Sequence, residues 1–157
     1  MNGSSTVDDL DVGIVQLLDQ DGRMSNVEMA KRLNVSESTI RQRLKRLVGG
    51  HVLRMQPLLN MERFGQWHLV LIGLSIEGRQ LEQCARQLNT LDEVVNTMIV
   101  TGRFDLIATL LLENRRSLTE FITGKLAKVP GIRDSETFLC LKKSDPWVDA
   151  ACLVRER

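Results

Sequence analysis

Residues 25–52 read SNVEMAKRLNVSESTIRQRLKRLVGGHV, and this stretch decides the first half of the fold. Ser25 followed by Glu28 is the pattern of a capping box, in which the Ser hydroxyl caps the first turn and the Glu side chain reaches back. A short helix follows, with core spacing at Val27, Ala30 and Leu33. Residues 34–36 (NVS) supply a turn and a new N-cap. The pattern predicts two helices joined by a tight turn.

The second of these helices begins at Ser36. Its apolar positions have the i, i+4, i+7, i+8 spacing of a helix packed on one side, and they are Ile40, Leu44, Leu47 and Val48. The Gly49-Gly50 pair predicts a left-handed C-cap, because glycine lacks the Cβ that disfavours a positive φ. The other faces carry polar and basic side chains, namely Ser38, Thr39, Arg41, Gln42, Arg43, Lys45 and Arg46.

Positive charge is concentrated in this part of a nearly neutral chain. The whole sequence has a formal net charge of +1. Between Ser25 and Arg54, seven Lys and Arg residues are set against two Glu residues, so the rest of the chain is net acidic. A basic element on a neutral protein is typical of phosphate binding, because each Lys or Arg contact releases counterions condensed on a duplex.

These observations predict a helix-turn-helix that binds double-stranded DNA. Ser, Thr, Gln and Arg near the start of the second helix are the residue types that reach base edges in the major groove. The residues expected to read bases are Ser38, Thr39, Arg41 and Gln42, and those expected to hold phosphates are Arg43, Lys45 and Arg46, with Ser36 at the helix start. The alternative is a solvated charged face on a helical hairpin, but the coincidence of cap, turn, stripe and basic face favours DNA binding.

Length and composition indicate an intracellular protein with one domain or two small ones. The chain has 157 residues, of which 43% are hydrophobic and 26% charged, which excludes the membrane and disordered classes. The longest apolar run, Leu69–Leu74, is too short to span a bilayer. Residues 1–6 lack a basic n-region and an apolar h-region, so we expect a tail and not a signal peptide.

The cysteines agree with this assignment. Cys84, Cys140 and Cys152 are odd in number and form no CxxC pair. We therefore expect reduced thiols and a cytoplasmic location.

Hydrophobic periodicity divides the remaining chain. A first helix is predicted at 8–20, and a strand or wing broken by Pro57 at 52–59, so residues 1–59 form the DNA-binding domain. Residues 60–66 are expected to be a hinge-like linker, followed by a second domain at 67–157. That domain has the β-α-β-β-α-β order of a ferredoxin-like α+β fold, with predicted elements at 67–76, 80–88, 94–101, 104–112, 118–128 and 132–142. A tight turn at Gly102-Arg103 joins the two middle strands.

The chain resembles the leucine-responsive/asparagine (Lrp/AsnC, feast/famine) regulators. The resemblance rests on the Leu10-Asp11 opening, the DGRMS connection at 21–25, the helix-turn-helix and the TGRFD segment at 101–105, and it extends over residues 7–143. It implies a winged helix-turn-helix transcription regulator that dimerises through its C-terminal domain, often assembles into octamers, and binds an amino acid between dimers.

The expected effector site is the turn at Gly102, where a positive φ or the close approach of a ligand is expected. Backbone amides there can hold a carboxylate and Asp105 can take an ammonium group; the alternative is a plain hairpin turn, with Asp105 capping its own backbone. Many family members have an acidic residue where this chain has Arg103. The Arg103 side chain would favour an anionic group on the ligand or a contact with a neighbouring subunit. The effector-binding residues implied by the resemblance are Gly102, Arg103, Phe104, Asp105, Ser135 and Thr137.

An open sheet face is expected to bind a second copy of the chain. A four-stranded sheet with helices on one face leaves the other apolar, here through Leu69, Leu71, Val95, Ile99, Ile107 or their alternating neighbours. Pairing of two such faces gives two-fold symmetry, so the operator should be an imperfect palindrome.

An enzyme is the alternative function. The architecture also resembles the siroheme decarboxylases, which carry paired His and Arg residues in the C-terminal domain and generally lack a strongly basic recognition helix. Here that domain contains only His68, while His51 lies in the first domain. The sequence contains no nucleotide, metal or nucleophile motif, so no cofactor, metal or catalytic residue is expected. A ligand-binding module without DNA function would leave the basic helix unused.

Overall fold

The computed structural model describes residues 7–78 and 80–154, in two compact units that divide after Gln56. The predicted tail at 1–6 lies outside the described residues. None of the helices in the described part of the chain is long and apolar enough to cross a bilayer.

The first unit is the predicted helix-turn-helix with a preceding helix. Helix α1 is Asp9–Gln20, α2 is Asn26–Leu33 and α3 is Glu37–Gly49. Apolar side chains from all three helices form one small core, made of Ile14, Leu17, Met29, Ala30 and Ile40. The three predicted helices are confirmed, because caps and 3.6-residue periodicity are local signals.

The start of α2 differs from the prediction in two ways. The Ser25 Oγ accepts a hydrogen bond from the Glu28 N–H at 3.2 Å, but the Glu28 carboxylate binds Arg32 Nε at 2.9 Å instead of reaching back. The complete capping box lies at the start of α1, between Asp8 and Asp11. Val27 is 67% exposed, so its predicted core position was wrong and Met29 points inward instead.

The C-terminal end of α3 also differs from the prediction. Gly50 has φ −84°, and the left-handed residue is His51 with φ 56°. The Val52 N–H donates to Leu47 O at 2.9 Å and the His51 N–H to Val48 O at 3.2 Å, which is the Schellman pattern one residue later than predicted. Val48, predicted to point inward, is exposed.

The predicted wing is absent from the described segment that follows α3. Residues 53–57 form no strand, because Pro57 cannot donate a ladder hydrogen bond. The only strand in this part of the chain, β1 at Leu58–Asn60, belongs to the second unit and pairs antiparallel with β6 at Trp147–Asp149. Pairing with residues nearly ninety positions away carries no local sequence signal.

The second unit contains the predicted β-α-β-β-α-β order. Its sheet has the strand order β3-β4-β2-β5 and is antiparallel throughout. The strands are β2 (His68–Ile76), β3 (Val94–Ile99), β4 (Leu106–Leu112) and β5 (Ile132–Leu139). The helices are α5 (Leu81–Leu88) and α6 (Arg115–Glu120), the latter continuing through a π-helical turn (Phe121–Lys125) and a 3₁₀ turn (Leu126–Lys128).

One face of this sheet and its helices form the main core. Side chains at alternate positions of β2 and β4 are buried against Cys84, Leu88 and Phe121. Lys125, on the π-helical turn, is exposed and forms an ion pair with Glu93 at 2.6 Å. A charged ammonium stays at the surface because burial would remove its hydration.

A β-bulge changes which residues of β3 lie on the open face. The register shifts between Val94 and Asn96, after which Met98 is opposite Ile107 and Ile99 is opposite Leu106. Directly opposed residues share a face, and Leu106 lies on the helix-covered face. Ile99 is therefore on the covered side, contrary to the simple alternation, and Met98 takes its place on the open face.

A short helix and the C-terminal segment cover one end of the open face. The segment predicted as a linker, 60–66, contains helix α4 at Met61–Phe64, and Met61 is buried with Leu111 and Leu153. Leu153 belongs to α7, which is Ala150–Leu153. This third cluster holds β1, β6 and α7 in the second unit.

Candidate functional sites

The outer surface of α3 presents a polar strip to solvent. Ile40 and Leu47 are buried and Leu44 packs against the core of the first unit. Successive residues of an α-helix lie about 100° apart, so the side opposite these apolar positions carries Ser38, Gln42 and Lys45, which are all exposed. Three of the residues predicted to contact DNA thus lie together on the most accessible line of the helix.

Hydroxyl groups organise the start of α3. The Ser36 Oγ accepts a hydrogen bond from the Thr39 N–H at 3.1 Å and lies 2.8 Å from Ser38 Oγ and 2.7 Å from Thr39 Oγ1. Ser36 is therefore the N-cap of the helix, and the three hydroxyls form a local network at its positive end. An anionic phosphate is favoured at such a helix start.

Two arginines predicted to hold phosphates already have carboxylate partners. Arg46 Nη2 contacts Asp11 Oδ2, and Arg43 Nη1 contacts both Asp8 Oδ2 and, at 3.2 Å, Asp11 Oδ1. Asp11 is 0% exposed, whereas Arg43 and Arg46 are 27% and 40% exposed. No local sequence pattern indicates this cluster, because its pairs join residues 32 to 35 positions apart.

Protonation equilibria reflect the same contacts. The Arg43 guanidinium lowers the pKa of the Asp8 carboxyl, helped by the hydrogen bond from the Asp11 N–H. Asp8 and Asp11 in turn raise the pKa of Arg43. On the opposite flank of α3, Arg41 lies 2.6 Å from Glu37, which raises the pKa of Arg41. The Arg41 side chain is 71% exposed, so this surface pair leaves it accessible.

The connection between β3 and β4 is a six-residue loop, 100–105, and not the tight two-residue turn predicted. Gly102 has φ +128°, in the region that favours glycine, and a Cβ there would meet no atom within 4 Å. The Val100 N–H donates to Asp105 O at 3.0 Å and closes the loop. The positive φ expected at Gly102 is confirmed, and the loop tip is exposed.

The side chains of this loop lie over the open sheet face. The Phe104 ring covers Gly73, where an added Cβ would lie 2.5 Å from the ring, and it meets Phe138 edge-on at a centroid distance of 6.2 Å. Arg103 stacks on Phe104, with Cζ 5.3 Å from the ring centroid, and its Nη2 lies 2.5 Å from Glu136 Oε2. Arg103 therefore has a carboxylate partner in its own chain.

Ser135 and Thr137 lie on the other side of the sheet from this cluster. In the β2–β5 register, Ser135 is opposite Leu74 and Thr137 is opposite Ile72, both buried under the helices. Glu136 is opposite Gly73 on the open face. The residues of β5 that the structure brings to the loop are thus Glu136 and Phe138, because side chains alternate along a strand.

Asp105 is held at the base of the loop. Its Oδ2 accepts a hydrogen bond from the Ile76 N–H at 2.8 Å, and its own N–H donates to Leu74 O at 2.9 Å. This hydrogen bond joins the loop to the end of β2, which differs from the self-capping alternative. The residue is half-buried, and a carboxylate can accept further hydrogen bonds.

Within residues 7–78 and 80–154, no group of three or more His, Cys, Asp or Glu side chains comes together that could hold a metal ion. Cys84 is a buried free thiol, and burial raises its pKa.

Family models match both units. Residues 7–48 match the AsnC-type helix-turn-helix domain, and residues 69–146 match the Lrp/AsnC ligand binding domain. An uncharacterized HTH-type transcriptional regulator of Pyrococcus abyssi is 37% identical over 132 residues, covering 83% of this chain and 84% of the relative. The chain belongs to the Lrp/AsnC family. It is a transcription regulator with a helix-turn-helix DNA-binding domain and a ligand-binding domain.

Other transcription regulators match nearly the whole chain. The proline dehydrogenase transcriptional activator of Rhizobium radiobacter is 27% identical over 149 residues, or 90% of this chain and 96% of that protein. The structure of E. coli AsnC has a TM-score of 0.78 at 22% identity, over 89% of this chain and 95% of that one, which shows the shared fold. A Neisseria meningitidis transcriptional regulator in complex with L-Met has a TM-score of 0.75 at 26% identity, over 89% and 93%. These proteins give no support to the enzyme alternative.

Proposed function

We propose that this Lrp/AsnC protein binds specific DNA sequences through the outward strip of α3 and responds to an amino acid or a related small molecule. The observation that carries the DNA half is the exposed line of Ser38, Gln42 and Lys45 opposite the buried apolar stripe. A Gln side chain can pair with adenine through two hydrogen bonds, and a Lys can neutralise a phosphate. Arg41 adds a charged group on the flank of the strip.

The effector half rests on the loop at 100–105. Its exposed tip offers backbone amides for a carboxylate, and Asp105 offers a negative charge for an ammonium group. The structural neighbour that binds L-Met supports an amino acid as the ligand class. In this chain the site includes Glu136 and Phe138 in place of Ser135 and Thr137, since only the former lie on the loop side of the sheet.

The open sheet face supports a homodimer. Leu71, Met98, Ile107 and Phe138 are apolar and at least partly exposed there. Pairing of two such faces around a two-fold axis would bury them and would place two α3 helices on an imperfect palindrome. The family resemblance extends this to octamers built from dimers. We further propose a cytoplasmic location, without catalysis or membrane attachment.

Selection of random duplexes with the full-length protein tests the DNA half. We expect a palindromic consensus, and we expect Gln42→Ala to cost about 1–3 kcal/mol on the selected site and little on random DNA. Lys45→Ala should weaken both about equally. The matched control is Gln16→Ala, at an exposed position of α1. Equal loss on both duplexes for Gln42→Ala, or no consensus, would contradict the assignment.

Sedimentation of the full-length protein tests the dimer. The double variant Met98→Lys/Phe138→Lys places two charges on the open face, and charge is depleted from the core of protein interfaces. We expect the wild type to sediment as a dimer or larger assembly and the variant to shift toward monomer at micromolar concentration. An unchanged distribution would place the interface elsewhere.

A further inference from the structure

The acidic start of α1 and the basic flank of α3 form one charge cluster. Asp8 and Asp11 cap each other's backbone, with Asp11 N–H to Asp8 Oδ1 at 3.0 Å and Asp8 N–H to Asp11 Oδ2 at 3.1 Å. The same two carboxylates contact Arg43 and Arg46. We call these four residues the carboxylate clamp.

The clamp divides the basic residues of α3 into two groups. Arg43 and Arg46 lie three residues apart on one flank and are partly covered, and both guanidinium groups are held by carboxylates. Lys45 lies on the exposed strip, outside the clamp. Asp11 is fully buried, and a buried carboxylate is costly unless charged partners and hydrogen bonds surround it. Release of Arg46 would leave that carboxylate with one fewer partner.

We propose that Asp8 and Asp11 are positioning residues that withhold Arg43 and Arg46 from DNA phosphates. This inference rests on the proposed DNA binding. Binding to random DNA comes almost entirely from phosphate neutralisation, so each withheld arginine weakens random binding more than it weakens base reading. The clamp therefore keeps the sequence-independent part of the DNA affinity low, and it also joins α3 to α1 by charged contacts.

Substitution of Asp8 gives the sharpest test, because Asn caps helices as well as Asp does. Asp8→Asn removes one carboxylate from Arg43 but leaves an acceptor for the Asp11 N–H. The charge-matched control is Asp9→Asn, in the same turn and exposed. Both variants and the wild type, at full length, are titrated with the selected operator and with a random duplex between about 50 and 300 mM salt.

We expect Asp8→Asn to bind the random duplex more tightly, by up to about eightfold per released arginine at 0.1 M salt, with a steeper salt dependence. Binding to the operator should tighten by a similar factor, while Asp9→Asn stays close to the wild type. A variant that merely loosened the fold would bind less tightly, so a gain separates the two explanations. Asp11→Asn serves as the second variant and should release Arg46, while Arg43 keeps its contact with Asp8.

Three results would count against the inference. Equal salt dependences for Asp8→Asn, Asp9→Asn and the wild type would show that Asp8 does not withhold Arg43 from DNA. A gain as large in Asp9→Asn would assign the effect to net charge alone. Absence of DNA binding by the wild type at low salt would overturn the proposed function itself, which distinguishes that failure from failure of the clamp alone.

Discussion

Ion pairs between arginine and carboxylate occur in both units of the molecule, but they differ in how deeply the carboxylate is buried. In the first unit Arg43 and Arg46 hold Asp11, which is fully buried. In the second unit Arg103 and Glu136 form a pair with side chains 76% and 37% exposed. A buried charge must keep its partners, whereas an exposed pair contributes little and can be exchanged for a ligand. The first cluster therefore has a structural role, whereas the Arg103–Glu136 pair is available for exchange with a ligand.

The largest expected difference is in stability. Asp11→Ala should lower the free energy of unfolding of the first unit by about 2–3 kcal/mol, because it removes hydrogen bonds to charged groups and one half of the capping box. Glu136→Ala should lower that of the second unit by under about 1 kcal/mol. Far-UV circular dichroism in urea follows the helical first unit, and Trp67 and Trp147 report the second. Equal losses of unfolding free energy in the two variants would contradict the distinction between a buried and an exposed ion pair.

The packing of the Phe104 ring on the sheet beneath Arg103 can be disrupted by one added side chain at Gly73. Gly73→Val should cost about 2 kcal/mol, since its Cβ would lie within 2.7 Å of three atoms of the Phe104 ring. The matched control is Gly124→Ala, where an added Cβ meets nothing within 4 Å and stability should hold or rise. Trp fluorescence in urea is the measurement. A neutral Gly73→Val would mean that Phe104 does not pack on the sheet.

The effector prediction depends on the charge of Asp105. Asp105→Asn retains an oxygen for the Ile76 N–H but loses the negative charge, so amino-acid affinity should fall about tenfold, or about 1.4 kcal/mol. Calorimetry against the common amino acids, beginning with L-Met, measures this in the full-length protein. Asp92→Asn, at an exposed position before β3, is the control. Unchanged binding in Asp105→Asn would move the ammonium site elsewhere.

The smallest expected effect is the pH dependence of the first cluster. The Arg43 guanidinium holds the pKa of Asp8 below its usual 3.8. The unfolded chain therefore takes up this proton first, and the stabilising contribution is present at neutral pH and lost as the pH falls below about 4. Urea midpoints from pH 7 to 3 should fall less steeply in Asp8→Asn than in the wild type. Identical profiles would show that Asp8 is not engaged in solution.

How much the sequence predicts follows from the distance over which each signal acts. The three helices of the first unit and the β-α-β-β-α-β order of the second were predicted correctly, because caps and periodicity are local. The positive φ of Gly102 was also predicted, since its cause lies in the turn itself. The prediction of a wing was wrong, because Leu58–Asn60 pairs with the distant strand Trp147–Asp149.

Pairings between distant residues account for the differences at the candidate sites. Arg43 and Arg46 looked like phosphate ligands because nothing near them in sequence shows that Asp11 is buried beside them. Ser135 and Glu136 are neighbours, and only the strand register decides which one faces the loop. In the first case the arginines were identified from the sequence but their partners were not, and in the second the strand was identified but not the residues on its loop side.

The central claim is that the outward strip of α3 contacts DNA, while the flank with Arg43 and Arg46 does not. The salt dependence of binding to a random duplex tests this claim most directly. Lys45→Gln should reduce the slope of log affinity against log salt by about 0.9 for each phosphate that the lysine neutralises. Arg46→Gln, checked by circular dichroism for its fold, should leave the slope unchanged. If Arg46→Gln instead flattened the slope as much as Lys45→Gln, Arg46 would be a phosphate ligand and this account of α3 would be contradicted.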